Sequence, residues 1–252
     1  MIHNKLAALI IVSLFIASGC NKKDIVTNLA PIQSENNKIT GASANELLAS
    51  SKYTSLKIEI QYMPGFPPDA NALNNTMAFL NSLINKPAGI VVTQTQINSS
   101  GKSSIDINDI ASIEQNNRTT FSSGNQISVY ILFADAGYSD PKVLGVAYRN
   151  TSLCLFAKII NNNSGAIGQV SRTKLETAVL EHEIGHILGL VDIGSPMQTN
   201  HKDGAHGNHC NNTNCLMYYT SETTDLLGFL VTGNIPVLDA NCINDLHFNG
   251  SK

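Results

Sequence analysis

The sequence predicts a mixed α/β domain, and three observations carry that prediction. Strand-like and helix-like stretches alternate through the first two-thirds of the chain. A long helix with apolar flanks follows near residue 180, and after Gly189 the chain loses its periodicity and becomes small and polar. A hydrophobic content of 42% with 14% charged residues is enough to build a packed core. The net charge is −3 with no basic block, which argues against a nucleic-acid partner.

Taken in order, residues 1–20 are a targeting segment. Lys5 supplies the positive end, Leu6 to Ile16 is apolar but too short for a comfortable membrane span, and Ala17-Ser18-Gly19-Cys20 resembles a bacterial lipobox. That resemblance implies a lipid on Cys20 and a place in the bacterial cell envelope, anchored to a membrane on its periplasmic or outer face. Residues 21–42 are polar and aperiodic and are expected to form a flexible tether, leaving 43–252 as the folded domain.

Within that domain Leu56 to Tyr62 alternates with period two, as a strand does. Pro64-Gly65-Phe66-Pro67-Pro68 stops it. Asp69 is an N-cap candidate for a helix through Leu83, with Leu73, Met77, Leu80 and Leu83 at helical spacing. Gly89 to Thr93 is a second strand, Ile105 to Gln115 a short helix, and Ile127 to Phe133 a central strand. Leu144 to Tyr148 and Ser152 to Ala157 are two more, and Asn161 to Gly165 is a turn. Ser171 to Leu188 is a helix with Ser171 as its cap, and a terminal helix is expected around Asp239 to His247.

The helix from Ser171 carries His182-Glu183-Ile184-Gly185-His186. At four residues apart, His182 and His186 project from one helix face and can bind one Zn²⁺ at about 2.0–2.1 Å. Glu183 points roughly 100° away, where it meets a metal-bound water rather than the metal. Two ligands, a base and an open coordination position are the layout of zinc-dependent peptide hydrolysis. The flanks Thr177 to Leu180 and Ile187 to Leu190 bury this helix, where unpartnered polar groups are costly.

With Gly189 the string becomes H-E-x-x-H-x-x-G, which resembles the metzincin zinc endopeptidases. The resemblance implies a zincin-type catalytic domain with a mixed sheet, an active-site helix and a Met-turn. Met217 in Asn214-Cys215-Leu216-Met217-Tyr218-Tyr219 stands for that Met. Tyr219 stands where astacin-like metzincins have a tyrosine that stabilises the transition state. His209-Cys210-Asn211-Asn212-Thr213-Asn214-Cys215-Leu216-Met217 is similar to the archaemetzincins, whose His is the third zinc ligand and whose cysteines help hold a structural zinc. Nineteen residues separate Gly189 from His209 here, where that family has two, and only Cys242 follows Met217 in place of a C-x-x-C pair. Asp192, at the spacing of snapalysin-like metzincins, is the alternative third ligand to His209, with His201 and His206 behind both.

With Cys20 set aside, Cys154, Cys210, Cys215 and Cys242 form an even set. In an exported protein this favours two disulfides over a second, structural zinc on Cys210, Cys215 and Cys242 completed by His247 or Asp245. The expected protein is a monomeric, lipid-anchored zinc metalloendopeptidase acting on protein or peptide substrates. These would add as a strand along an edge at Val146-Ala147-Tyr148 or Cys154-Leu155-Phe156. A catalytically silent peptide- or zinc-binding lipoprotein of the same fold is the rival, and the intact Glu183 argues against it.

Overall fold

The computed structural model describes residues 34–252, so the expectations for residues 1–33, including lipidation at Cys20, lie outside the described residues. Within the expected tether, packing already occurs at Asn36, before its expected end at 42. Asn36 is buried, and its two amide N–H groups face three acceptors, Ser122 Oγ (3.0 Å), Ser128 O (3.0 Å) and Thr151 Oγ1 (2.9 Å), while its Oδ1 accepts from Ser122 N (2.8 Å). A fully partnered asparagine is a polar plug, since burial costs little once every donor and acceptor is used. In a sequence scan it is one more polar residue in a polar run.

The helices are α1 (Ala44–Leu48), α2 (Ala70–Leu83), α3 (Ile107–Asn117), α4 (Ala157–Asn162), α5 (Arg172–Ile187), α6 (Leu227–Thr232) and α7 (Ala240–Phe248). The strands are β1 (Ser55–Tyr62), β2 (Ile90–Gln96), β3 (Ser104–Ile105), β4 (Gln126–Phe133), β5 (Gly137–Tyr138), β6 (Gly145–Arg149) and β7 (Ser152–Leu155). Asp69 caps α2 by accepting from Ala72 N at 2.9 Å, and Ser171 caps α5 through Lys174 N at 3.2 Å. Among the described residues no helix is long and apolar enough to cross a membrane.

Several boundaries differ from the sequence expectation, β2 for one running on to Gln96. Helix α3 begins at Ile107 because Ser104 and Ile105 pair with Gly137 and Tyr138, after which Asp106 caps the helix in a box with Asp109. Strand β7 ends at Leu155, and α4 then runs from Ala157 to Asn162, into the first two residues of the expected turn at 161–165.

Five strands form one sheet in the order β2-β1-β4-β7-β6, parallel except for β6, which runs antiparallel to β7 along the edge. The register sets Ile58 beside Val129 and Val92, and Leu132 beside Cys154. β4 is buried along nearly its whole length because both sheet faces are covered. On one face Ile58, Ile60, Val129, Ile131, Leu153 and Leu155 pack with Leu80 of α2 and with Leu175, Val179, Leu180 and Ile184 of α5. On the other, Tyr130, Leu132, Cys154 and Phe156 meet Ile110 and Ala111 of α3. Glu176 ties the first layer together, its carboxylate accepting from Asp69 N at the start of α2 (2.6 Å) and from Arg172 (3.2 Å). The sheet thus clamps α5, and α5 carries the histidine motif.

Candidate metal centre

Helix α5 is buried from Leu175 to Ile187, histidines included. Gly185, between the two histidines, has Met217 directly beneath it: a Cβ there would collide with Met217 Sδ. Leu216, one residue earlier, supplies the carbonyl that faces His182 Nδ1 at 2.7 Å. The 214–219 stretch therefore lies as a floor under the helix. Gly189 turns the chain with φ +89, and a Cβ there would collide with Ser195 N. That turn returns the Leu190 carbonyl to His186 Nδ1 at 3.0 Å.

The chain then runs through a loop that ends as a hairpin, with Asp203 N bonded to His209 O (2.7 Å), Asn211 N to His201 O (2.8 Å) and Lys202 bridged to Cys210. The hairpin brings His209 over α5. Its ring stacks on His182 at 5.3 Å and stands edge-on to His186 at 5.1 Å, and its Nδ1 faces His206 O at 2.6 Å.

Each of the three imidazoles thus turns its Nδ1 to a backbone carbonyl, which fixes the Nδ1–H tautomer and leaves Nε2 as the donor to a metal. The Nε2 atoms of His182 and His186 are 3.1 Å apart. With His209 and Glu222 they form a group whose donor atoms all lie within 4.8 Å of one another. Burial, reinforced by His209, lowers the pKa of His182 to about 4, and burial sends His186 well below its ordinary value. Both are therefore neutral at pH 7, the form that ligates. Although burial opposes it, the hydrogen bond with His209 and the neighbouring imidazoles bring Glu222 down to about 2. Three imidazoles and one carboxylate suit Zn²⁺.

Glu183 is fully buried beside edge strand β6: a Cβ on Gly145 would come within 2.7 Å of Glu183 Oε1. Of the two expected edges, the Val146-Ala147-Tyr148 stretch is the one at the sheet margin, and β7 lies inside, between β4 and β6. Asp192 is exposed, has φ 59 and pairs with Lys202 at 3.4 Å, away from the histidines. The Tyr219 ring stacks on His206 at 3.6 Å, which puts it at the rim of the site.

A second cluster stands beside the first. His201 Nδ1 lies 3.3 Å from Cys210 Sγ and 3.9 Å from Cys242 Sγ, and Cys215 Sγ is 3.6 Å from Cys242 Sγ. Asp239 Oδ2 is 3.3 Å from Cys210 Sγ. Behind His201, Asp245 Oδ2 faces Nε2 at 2.8 Å.

This corrects two expectations. None of the four thiols is in a disulfide: Cys154 is buried under the other sheet face, and Cys215 and Cys242 are farther apart than the roughly 2.05 Å of an S–S bond. His247 is exposed on α7 and Asp245 meets His201 rather than the thiols, so His201 is the nitrogen donor of this cluster. The sequence reading missed Glu222, Asp239 and the placement of His201, because all three sit in irregular chain or at a helix cap where no spacing rule applies.

No curated protein matches the chain. Solved structures do, among them an archaemetzincin from Methanopyrus kandleri, with 13% identity over 78% of this chain and 96% of that one at a TM-score of 0.48. A family model described as Metallo-peptidase family M12 (Reprolysin_5) matches residues 65–229, which is more than half of the chain. The chain belongs to metallo-peptidase family M12.

Proposed function

We propose that the chain hydrolyses internal peptide bonds with one zinc held by His182, His186 and His209. The observation that carries this is the convergence of three buried, tautomer-fixed imidazoles beside a buried glutamate in an M12 metallopeptidase. Zinc in that position supplies Lewis acidity and lowers the pKa of water towards 7. Glu183 accepts the proton of the attacking water and delivers it to the departing amine, the general-base role worth 10²–10⁴-fold. Gly145 leaves the space in which the Glu183 carboxylate is held. A peptide lying extended beside β6 brings its scissile carbonyl to that carboxylate.

The second cluster is proposed as a structural zinc site with His201, Cys210 and Cys242 as ligands from the gathered group His201, Cys210, Asp239 and Cys242, and with Cys215, whose Sγ lies 3.6 Å from that of Cys242, as the fourth; Asp245 holds the imidazole from behind and Asp239 stands beside Cys210. A Cys₃His set closes a tetrahedral site and leaves no position for substrate. The enzyme is further proposed to be a monomer attached to the bacterial envelope by a lipid on Cys20. If Cys20→Ser protein still partitions with membranes after a high-salt wash, the anchoring proposal is wrong.

The main test is Glu183→Gln. Zinc content is expected to stay near normal while proteolysis of an unfolded protein substrate falls by about 10²–10⁴-fold. Retained turnover would refute the mechanism.

A further inference from the structure

The hydrolytic reading uses three of the four groups gathered at the histidine centre and leaves Glu222 without a role. Its carboxylate has Oε2 at 3.9 Å from His182 Nε2 and Oε1 at 3.7 Å from His209 Nε2. Donor atoms around a tetrahedral zinc stand about 3.3 Å apart. The 3.1 Å between His182 and His186 and these two distances bracket that edge. Among the described residues, the ion-pair partners of Glu222 are these imidazoles, not a lysine or arginine.

The backbone explains why the side chain arrives there. Tyr219–Glu222 is a single 3-10 turn, and Glu222 ends it. The Glu222 carbonyl accepts from Leu144 N at 2.8 Å, Thr224 N donates to Lys142 O at 2.9 Å, and Val143 and Thr223 form an antiparallel bridge. Residues 222–224 therefore lie as a short extra strand on the chain leading into β6. That is the margin a peptide substrate would lengthen, and Gly145, at its start, packs against Glu183. A carboxylate presented from that margin takes the place a substrate carbonyl would take.

We propose that Glu222 is a fourth protein ligand of the metal held by His182, His186 and His209, so that the resting centre is closed and an incoming substrate must displace this carboxylate. The proposal rests on the zinc reading of that centre. Metal sites with four protein ligands are structural, whereas catalytic ones keep a position open. A catalytic centre closed by one residue on a short turn has an obvious way to open: the turn is tied to 142–144 by two backbone hydrogen bonds and an exposed Lys142–Asp225 pair at 3.5 Å. The site then admits ligands that can both lie along β6 and coordinate the metal, such as extended peptides, and resists small zinc-binding molecules that do only the second.

The test uses cobalt(II) as metal and acetohydroxamate as probe, on the full chain. Cobalt is titrated by its visible absorption into wild type, Glu222→Ala and Glu222→Gln. The same titration of His182→Ala is subtracted to remove the bands of the Cys210 cluster. Both Glu222 variants are expected to bind cobalt about tenfold more weakly, as for a lost ligand or close partner. Both are also expected to shift their spectra at about tenfold lower acetohydroxamate than wild type, because a centre closed nine-tenths of the time binds the probe tenfold more weakly. Equal acetohydroxamate affinity in wild type and both variants overturns the proposal, whether or not cobalt affinity changes. Circular dichroism identifies a variant that has unfolded, and the near-isosteric Gln variant then decides alone. If His182→Ala binds as much cobalt with the same spectrum as wild type, the centre itself has been misassigned, an outcome separate from any result at Glu222.

Discussion

The two clusters are made from the same piece of chain by opposite means. The histidine centre takes two of its members from α5, a regular helix clamped against the sheet, so its geometry is set by the core. The cysteine cluster takes none from a regular interior: His201 and Cys210 come from the hairpin, Cys215 from the floor and Cys242 from the first turn of α7. His209 and Cys210 are adjacent, and as on any extended chain their side chains go to opposite sides, one to each cluster. A rigid helix can hold two ligands unaided, but the third depends on a loop that the second cluster pins together with the Cys210 N–Met217 O bond of 2.8 Å.

The largest effect is expected from Cys210→Ser. If pinning matters, this variant loses the metal of the cysteine cluster and, through His209, weakens the histidine centre about 10–100-fold. His182→Ala is expected to cost only the metal of its own centre. Metal content after gel filtration measures both. Full occupancy of the histidine centre in Cys210→Ser would show that the regions are independent.

His209→Ala and Asp192→Ala divide the hairpin from the turn before it. With His182, His186 and the Glu222 carboxylate left, His209→Ala should bind its metal about 10–100-fold more weakly than wild type. Asp192→Ala removes an exposed contact with Lys202, and surface pairs contribute about 0–1 kcal/mol, so its metal should stay. The opposite pattern would return the third-ligand role to Asp192.

How much of this was legible follows the same division. His182, Glu183 and His186 declare themselves because a helix converts a spacing of four into a shared face, and capping residues such as Ser171 and Asp69 mark the helices that carry or support them. The parallel strands were legible as apolar or alternating runs. Glu222 and His201 were not, since they act through tertiary placement of irregular chain, and no periodicity links them to α5. Asn36 shows the same limit in the core: its burial depends on Ser122 and Thr151, far along the sequence. The disulfide expectation failed for a related reason, because an even cysteine count cannot reveal that Cys154 faces the other side of the sheet.

Protons separate the two regions as well. Burial keeps His182 and His186 uncharged at pH 7, so metal enters that centre without displacing protons from these two, and its affinity should depend less steeply on pH than that of the cysteine cluster. In the other cluster, hydrogen bonding to Cys215 raises Cys210, and hydrogen bonding to Cys210 and Cys215 raises Cys242, while the same bonds lower Cys215. Two thiols must therefore lose protons when metal binds. Because protons compete with metal there, affinity should rise with pH by roughly 100-fold per unit for two protons released. Competition titrations of Cys210→Ser and His182→Ala, each reporting one surviving site, provide the check. Parallel slopes would mean the protonation states differ from those the burial implies.

The smallest effect sharpens the comparison at the edge of the sheet, where neither cluster is disturbed. Gly145→Ala places a methyl group 2.7 Å from both Glu183 Oε1 and Val179 Cγ1. Val179 is locked in the core, so Glu183 is the group that moves. A displacement of the order of 1 Å in a general base costs up to roughly 100-fold in rate. Since the histidines do not touch Gly145, metal affinity should be unchanged. We expect kcat to fall about 10- to 100-fold with KM and zinc content near wild type, measured by steady-state kinetics and metal analysis on one preparation. Loss of zinc together with activity would mean that β6 supports the metal site itself and not only the base. Unchanged kcat would mean that Glu183 has another position from which to reach the water.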